Sequence, residues 1–363
     1  MTYAIAAAGT GGHVFPALAV AEALVDLGVA PANVVFLGGT RFEAEAVPAA
    51  GFELVSLPLR GLQRRITIDN FKIPGAVASA RAQARQVIRA REVGVILAAG
   101  GYATVPVALA ARAEGVPYFV QEQNAHAGLA NRLMARGAVQ AFTSFPDTEG
   151  LKSGTPVGNP VRRHLSSFSR PDLRAAALER YGFLPDRVTM GVVGGSLGAT
   201  VLNEAVVRLV SQWAGPNIQI VHLVGTRNAE EYEERASQID IPPSVRWAVV
   251  PFEAEMQYFF AAIDFALARA GGMVAELTAT ATPSILVPGG FGSKGHQDAS
   301  ASYLVRNSAA VAVDEADPGG IVAAVEALAG DPDRRRAMSE ASSRIGHPEA
   351  ARVIAEALVS CHD

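Results

Sequence analysis

The chain has 363 residues but a single cysteine, Cys361, close to its C-terminus. One thiol can close no disulfide and build no cysteine-based metal site, which fits a reducing, cytoplasmic setting. An excess of either charge is also lacking. The 31 Lys+Arg stand against 35 Asp+Glu, a formal net charge of -4. Such a balance carries no electrostatic footprint for nucleic acid. The apolar N-terminus lacks a basic flank, so it does not read as a secretion signal. Val93 to Ala111 is free of charge, but Gly100-Gly101 and Pro106 interrupt it. It reads as buried strand, turn and buried helix rather than as a membrane span.

What is present is apolar material for more than one core. Half of the residues are hydrophobic, and 363 residues suit two domains better than one. Short β-rich runs alternate with Ala-rich helical runs, the pattern of parallel sheets covered on both faces. Strands are expected at Tyr3–Ala8, Asn33–Leu37, Glu53–Leu57, Val93–Ala98, Pro117–Gln121 and Gln140–Thr143. Helices are expected at Pro16–Leu27, Ile73–Ala90 and Ala127–Arg136. The pattern pauses at Thr155-Pro156-Val157-Gly158-Asn159-Pro160, which suits an interdomain connection. It then restarts with a helix at Leu173–Tyr181 and strands at Thr189–Val193, Ile218–Val224, Val245–Val250, Phe265–Ala268 and Ser284–Val287. Arg334–Ser360 reads as mostly helical. The expected domains are 1–160, with a C-terminal helix of about 340–363 packing back on it, and 161–339.

Each half opens with a strand, a glycine-rich loop and a helix. The first loop is Gly9-Thr10-Gly11-Gly12, the second Gly194-Gly195-Ser196-Leu197-Gly198. Such loops let main-chain N–H groups approach an anion beside the positive end of a helix. Neither matches GxGxxG, and neither has the Lys-Ser/Thr of a phosphate-cradling loop. In open α/β sheets such loops lie at the carboxyl ends of the strands, where ligands bind. Just beyond the first loop stands His13. A helix start disfavours the imidazolium, so the ring is expected neutral and able to take a proton. Asp331-Pro332-Asp333 lies away from the glycine loops and reads as a turn and helix start.

The string Gly9-Thr10-Gly11-Gly12-His13-Val14-Phe15-Pro16-Ala17-Leu18-Ala19 closely resembles the N-terminal signature of the peptidoglycan N-acetylglucosaminyltransferases that make lipid II. The resemblance continues in order through Gly100-Gly101-Tyr102, Glu122-Gln123-Asn124, Ala127–Asn131 and Val157–Arg162. It runs on through Gly194–Ala199, Arg269–Gly272, Ala275-Glu276-Leu277 and His296-Gln297, and so covers nearly the whole chain. It implies the GT-B fold, two Rossmann-like doubly wound parallel-sheet domains facing across a cleft. It also implies transfer of GlcNAc from UDP-GlcNAc to the MurNAc 4-OH of lipid I, without a cofactor or a metal. This sequence departs from the family pattern at Gln121 (often His), Leu197 (often Gln), Ser300 (often Asn) and Glu253 (often apolar, near the uracil). The loop between Arg269 and Glu276 is one residue short.

The resemblance makes His13 and Glu122 rival general bases for the acceptor hydroxyl. It puts Thr10, Gly11 and Gly12 beside the acceptor pyrophosphate or the donor. Asn124 and Asn131 are expected on sugar hydroxyls, turn chemistry being the alternative for both. Tyr102 lines the same cleft or packs in the core. Ser196 and Arg162 are expected at the UDP pyrophosphate, whose negative charge grows as the sugar bond breaks. Glu276 is expected at the ribose hydroxyls, Gly271 and Gly272 beside the donor, Phe252 and Met273 near the uracil, and His296 and Gln297 at the donor sugar.

Residues 1–162 carry 14 Lys+Arg and 11 Asp+Glu, and the remainder 17 and 24. The basic excess sits in Arg60–Arg91, where Leu62, Ile66, Ile68, Phe71 and Ile73 alternate with Arg64, Arg65 and Lys72. This mix suits docking on an anionic membrane surface through residues of about 60–75, and also a solvated helix. With a lipid-linked acceptor the expected location is the cytoplasmic face of the cell membrane, peripheral, with no transmembrane helix. Other readings stay open. They are a UDP-sugar transferase with another acceptor, a UDP-GlcNAc 2-epimerase of like architecture, and a nucleotide-sugar-binding protein without turnover.

Overall fold

The computed structural model describes residues 1–58, 73–151, 153–195, 198–289 and 295–361. Ser196 and most of the 60–75 segment lie outside the described residues, as does the side chain of Ile73. The chain forms two compact units, residues 1–163 with 347–363, and residues 164–346.

The first unit is built on a seven-stranded parallel sheet. Its strands are β1 (Thr2–Ala6), β2 (Val34–Gly38), β3 (Glu53–Ser56), β4 (Val93–Ala98), β5 (Tyr118–Glu122), β6 (Ala141–Thr143) and β7 (Thr155–Pro156), in the order β3-β2-β1-β4-β5-β6-β7. β1, β2 and β5 are inaccessible along almost their whole length. Burial on both faces explains why they read as continuous apolar runs rather than alternating ones. On one face, Val14, Leu18 and Leu24 of helix Gly11–Asp26 pack with Ile5, Phe36 and Leu97. Ile354, Ala355 and Leu358 of helix Ala350–Ser360 join the same cluster, which docks the C-terminal segment into this unit. On the other face Ala80, Ala84, Ile88, Val107 and Ala111 cover Ala4, Ala6, Ile96 and Ala98. The small Ala side chains set these helices close to the sheet.

The second unit repeats the plan with six parallel strands, β8 (Val188–Val193), β9 (Ile218–Leu223), β10 (Val245–Val250), β11 (Phe265–Ala268), β12 (Ser284–Leu286) and β13 (Ala310–Ala312). Their order is β10-β9-β8-β11-β12-β13. In both sheets the first strand of the unit is central and order reverses beside it. That reversal opens a switch point at the strands' carboxyl ends. The core joins Met190, Val192, Ile220, Phe265, Leu267 and Ile285 to Leu202 and Leu209 of helix Thr200–Gln212, to Trp213 just beyond its end, and to Ile321, Val325 and Leu328.

The expected fold class, two Rossmann-like doubly wound domains, is what both sheets show. Three local expectations shift. The first helix begins at Gly11 rather than Pro16, so both glycines and His13 form its opening turn. Thr155–Pro156, read as part of a connection, adds an edge strand to the sheet, where proline is tolerated. The helical tail is two helices, Pro332–Ile345 and Ala350–Ser360, broken at Gly346-His347-Pro348. Pro332–Ile345 stays in the second unit.

Candidate functional site

In the first unit the motif residues gather at the carboxyl ends of four adjacent strands. Gly9–His13 follows β1, Gly39–Glu43 follows β2, Ala99–Tyr102 follows β4, and Gln123–Asn131 follows β5. Thr10 is the extended residue before the first helix and is exposed, as is Gly12. The amides of Gly11 and Gly12 belong to the opening turn, which has no preceding helical carbonyl to bond. Unbonded amides at a helix start are the kind of donor an anion can use.

His13 retains some solvent contact, yet burial is the largest influence on it and lowers its pKa. The Gln123 hydrogen bond and the charges of Glu122 and Glu43 oppose that shift without reversing it. The ring is therefore neutral at physiological pH, and burial leads where the helix dipole was the expected cause. His13 Nδ1 lies 3.1 Å from Gln123 Oε1. Gly100 and Gly101, at φ +104 and +78, carry the β4 loop past this ring.

Glu122, the other expected base, is 1% exposed. Its Oε1 accepts from the amide and the side chain of Asn124, at 2.9 and 2.8 Å. Its Oε2 accepts from Gly128 N at 2.9 Å and Asn131 Nδ2 at 2.8 Å. Four donors occupy the carboxylate, and it ties the 122–131 loop together. Asn131 is buried and spends its amide on Glu122 and on Gln121 O. Asn124 gives its main-chain N–H and one side-chain N–H to Glu122. For these two asparagines the geometry is the loop chemistry that the sequence left as the alternative.

Tyr102 donates to Glu43 Oε1 at 3.2 Å, and burial first, then Glu43, pushes its phenol up to about 12. Glu43 has no solvent exposure and also accepts from Gly9 N at 3.0 Å and Gly39 N at 2.9 Å. One carboxylate thus joins the loops after β1, β2 and β4. Sequence reasoning gave Glu43 no role. Its only signal was an acid opening a helical run shortly after Gly38-Gly39.

Arg162 is elsewhere. Its Nε and Nη2 donate to Glu22 Oε1 at 2.8 and 2.5 Å. Glu22 sits nine residues beyond His13 on the same helix, about 13 Å along its axis. Arg162, expected at the UDP pyrophosphate, is thus ion-paired on the flank of the first helix in this structure.

In the second unit the expected donor residues again follow strand ends. Gly194-Gly195 follows β8, Phe252 follows β10, Arg269–Met273 follows β11, and His296 and Gln297 lie beyond β12. Gly198 N donates to Gly195 O at 2.9 Å, closing the described part of the second glycine loop before helix Thr200–Gln212. Gly271 and Gly272 lead into helix Met273–Ala279, which carries Glu276 in its first turn, and Met273 is half-buried. Phe252 is 52% exposed, a large apolar surface at a strand end. His296 opens helix His296–Arg306. Gln297 Oε1 accepts from Gly289 N at 2.8 Å and so holds the β12 loop. Arg269 is committed to Val287 O at 3.0 Å and Glu315 at 2.8 Å.

Two further expectations are refined. Glu253, a departure from the family pattern, turns away from Phe252 into the protein. It accepts from Arg180 through both oxygens at 2.9 Å and from Tyr181 at 2.7 Å. Asp331 Oδ1 accepts from Arg334 N at 2.8 Å and caps Pro332–Ile345, as its helix-start reading requires.

Comparison with known proteins joins the two halves. The chain matches the Glycosyltransferase family 28 N-terminal domain over residues 3–143 and the family's C-terminal domain over residues 189–355. A Salinibacter ruber protein is 38% identical over 98% of this chain and 95% of its own length. A Thermobifida fusca protein is 35% identical over 99% and 94%. Both are named UDP-N-acetylglucosamine--N-acetylmuramyl-(pentapeptide) pyrophosphoryl-undecaprenol N-acetylglucosamine transferase. The crystal structure of Acinetobacter baumannii MurG superposes with a TM-score of 0.77 at 26% identity, covering 99% of this chain and 100% of that one. A Neisseria meningitidis UDP-GlcNAc 2-epimerase bound to UDP-GlcNAc shares the fold at 12% identity, with a TM-score of 0.67 over 99% and 100%. Matched in both its domains, and over nearly its full length by these relatives, the chain belongs to glycosyltransferase family 28.

Proposed function

We propose that the protein transfers GlcNAc from UDP-GlcNAc to the MurNAc 4-OH of lipid I and forms lipid II with inversion at the anomeric carbon. The observation that carries this reading is His13. It is a neutral imidazole whose Nδ1 is engaged by Gln123, set in the first turn of a helix among the carboxyl-edge loops. The long, full-length likeness to the named transferases supplies the substrates. In this reading the acceptor hydroxyl gives its proton to His13 Nε2. Its oxygen bonds to the anomeric carbon while the bond to the UDP oxygen breaks, and UDP leaves with that electron pair. Thr10, Gly11 and Gly12 offer main-chain donors to the acceptor pyrophosphate, and Glu43 keeps their loop in place. On the donor side, the β8 glycine loop with Ser196 and the start of helix Thr200–Gln212 take the departing diphosphate. Glu276 takes the ribose hydroxyls, Phe252 and Met273 the uracil, and His296 the sugar.

The protein works at the cytoplasmic face of the cell membrane and docks there through residues of about 60–75. Their sequence mixes cations with apolar side chains, and the acceptor is lipid-linked. No helix among the described residues is long and apolar enough to cross a membrane.

The deciding assay gives the purified protein UDP-GlcNAc with and without a lipid I analogue and follows UDP. Release that depends on the acceptor is expected. Acceptor-independent conversion of the sugar to its 2-epimer, with or without UDP release, would show an epimerase, and binding with neither change a non-enzymatic protein.

A further inference from the structure

We propose that Gln123 is a positioning residue that fixes the tautomer and orientation of His13, and that Gln121 and Asn159 hold Gln123 in place. The argument begins at a group that cannot turn over, the main-chain carbonyl of Ala99. Gln123 Nε2 donates to it at 2.5 Å. A carbonyl only accepts, so the amide nitrogen of Gln123 must face Ala99. The second hydrogen of that nitrogen goes to Oε1 of Gln121. Gln121 is 1% exposed, and its own Nε2 donates to Asn159 Oδ1 at 3.1 Å. With both hydrogens of Gln123 committed, its Oε1 is left as an acceptor, 3.1 Å from His13 Nδ1. His13 Nδ1 must then carry the hydrogen. In a neutral ring that leaves the lone pair on Nε2, the nitrogen able to receive a proton.

The chain of amides does what a carboxylate does behind other catalytic histidines, with one difference in consequence. A neutral acceptor orders the ring without adding a full negative charge beside it. His13 thus keeps its orientation while remaining unprotonated. Reversing the Gln123 amide would set its oxygen against both Ala99 O and Gln121 Oε1, two acceptors, so the polarity of the chain is fixed from the backbone outward. Glycine at position 100 leaves the room for this hydrogen bond, because a Cβ there would lie 2.6 Å from His13 Nδ1 and 3.1 Å from Gln123 Oε1.

This inference rests on the reading of His13 as the base, but its first test does not use activity. In the full-length protein labelled with 15N-histidine, the ring nitrogens of His13 should report a single neutral tautomer protonated at Nδ1. A ring protonated at Nε2 overturns the proposal. Gln123→Met should lower kcat at least about tenfold with an unchanged KM for UDP-GlcNAc, and should mix the tautomers of His13. Gln121→Met, which spares the residue touching His13, should mix them too and lower kcat several-fold. Unaltered ring signals and kcat in a folded variant of either kind would refute the role. An Nδ1-protonated ring together with a fully active His13→Ala protein would instead remove His13 as the base while leaving the amide chain intact.

Discussion

Gly100 passes so close to His13 that a Cβ added to it would stand 2.6 Å from the imidazole Nδ1. Its φ of +104 lies where side chains are strained in any case. The loop after β4 and the first helix therefore set the ring jointly, and the contact tolerates no extra atom. Gly100→Ala is expected to lower kcat by at least about tenfold, toward the loss for removing a general base. Urea unfolding should show only about 1–2 kcal/mol of destabilisation. Wild-type kcat would mean that the ring position does not matter.

His13 and Glu122 should separate cleanly. His13→Ala is expected to lower kcat by about 10²–10⁴-fold, with little change in the urea midpoint. Glu122→Ala strips the acceptor from four donors inside the β5 loop. It should cost about 3 kcal/mol of stability in urea unfolding, on the scale of buried hydrogen bonds to charge. A Glu122 variant of full stability that has lost only kcat would restore it as the base.

The pH profile carries a sign. Burial lowers the His13 pKa below its ordinary 6.5, with the Gln123 bond, Glu122 and Glu43 pulling the other way. With His13 as the proposed base, the active form is the neutral ring, present above that lowered pKa. The acid limb of kcat/KM should therefore fall below pH 6.5, with no loss on lowering the pH from 8 to 7. An acid limb centred above 6.5 contradicts the assignment.

His222 predicts acid sensitivity of the second unit. It is fully buried on β9, stacked on Trp247, and burial lowers its pKa to about 3. Asn203 Nδ2 donates to Val224 O, so Asn203 Oδ1 accepts from His222 Nε2 at 3.0 Å. His222 Nδ1 is buried without a partner, so protonation would put an unpaired charge inside. The unfolded chain takes up a proton first as pH drops through 6.5. The folded state then loses stability by about 1.4 kcal/mol per pH unit until the folded pKa is reached. Urea midpoints between pH 6.5 and 4 should show this slope, and His222→Gln should flatten it. Equal slopes in both proteins would exclude His222 as the cause.

Glu276→Ala should raise the KM for UDP-GlcNAc by about 10–100-fold, the value of hydrogen bonds to a carboxylate. An unchanged KM removes the ribose role.

The fold was legible because the strands of a doubly covered parallel sheet need nothing but apolar length, and glycine must stand where they turn. Two strands escaped notice, β7 and β13, because two or three residues at a sheet edge leave no periodicity to read. The helix register at Gly11 was missed because Pro16 resembles a start, although the preceding turn was already helical.

By itself the sequence determined the two-unit α/β plan, the order of the motifs and the carboxyl-edge placement of most expected site residues. These follow from local chemistry, such as turn glycines, apolar runs and an Asp at a helix start. Tertiary structure decided the division of labour among the polar groups. It turned Glu122 inward onto four donors, drew Arg162 to Glu22 and brought Glu43 under the glycine loop. It also aimed Gln123 at His13 across 110 positions of sequence. Hydrogen-bond partners are chosen by distance and direction in space, and a chain written in one dimension carries neither.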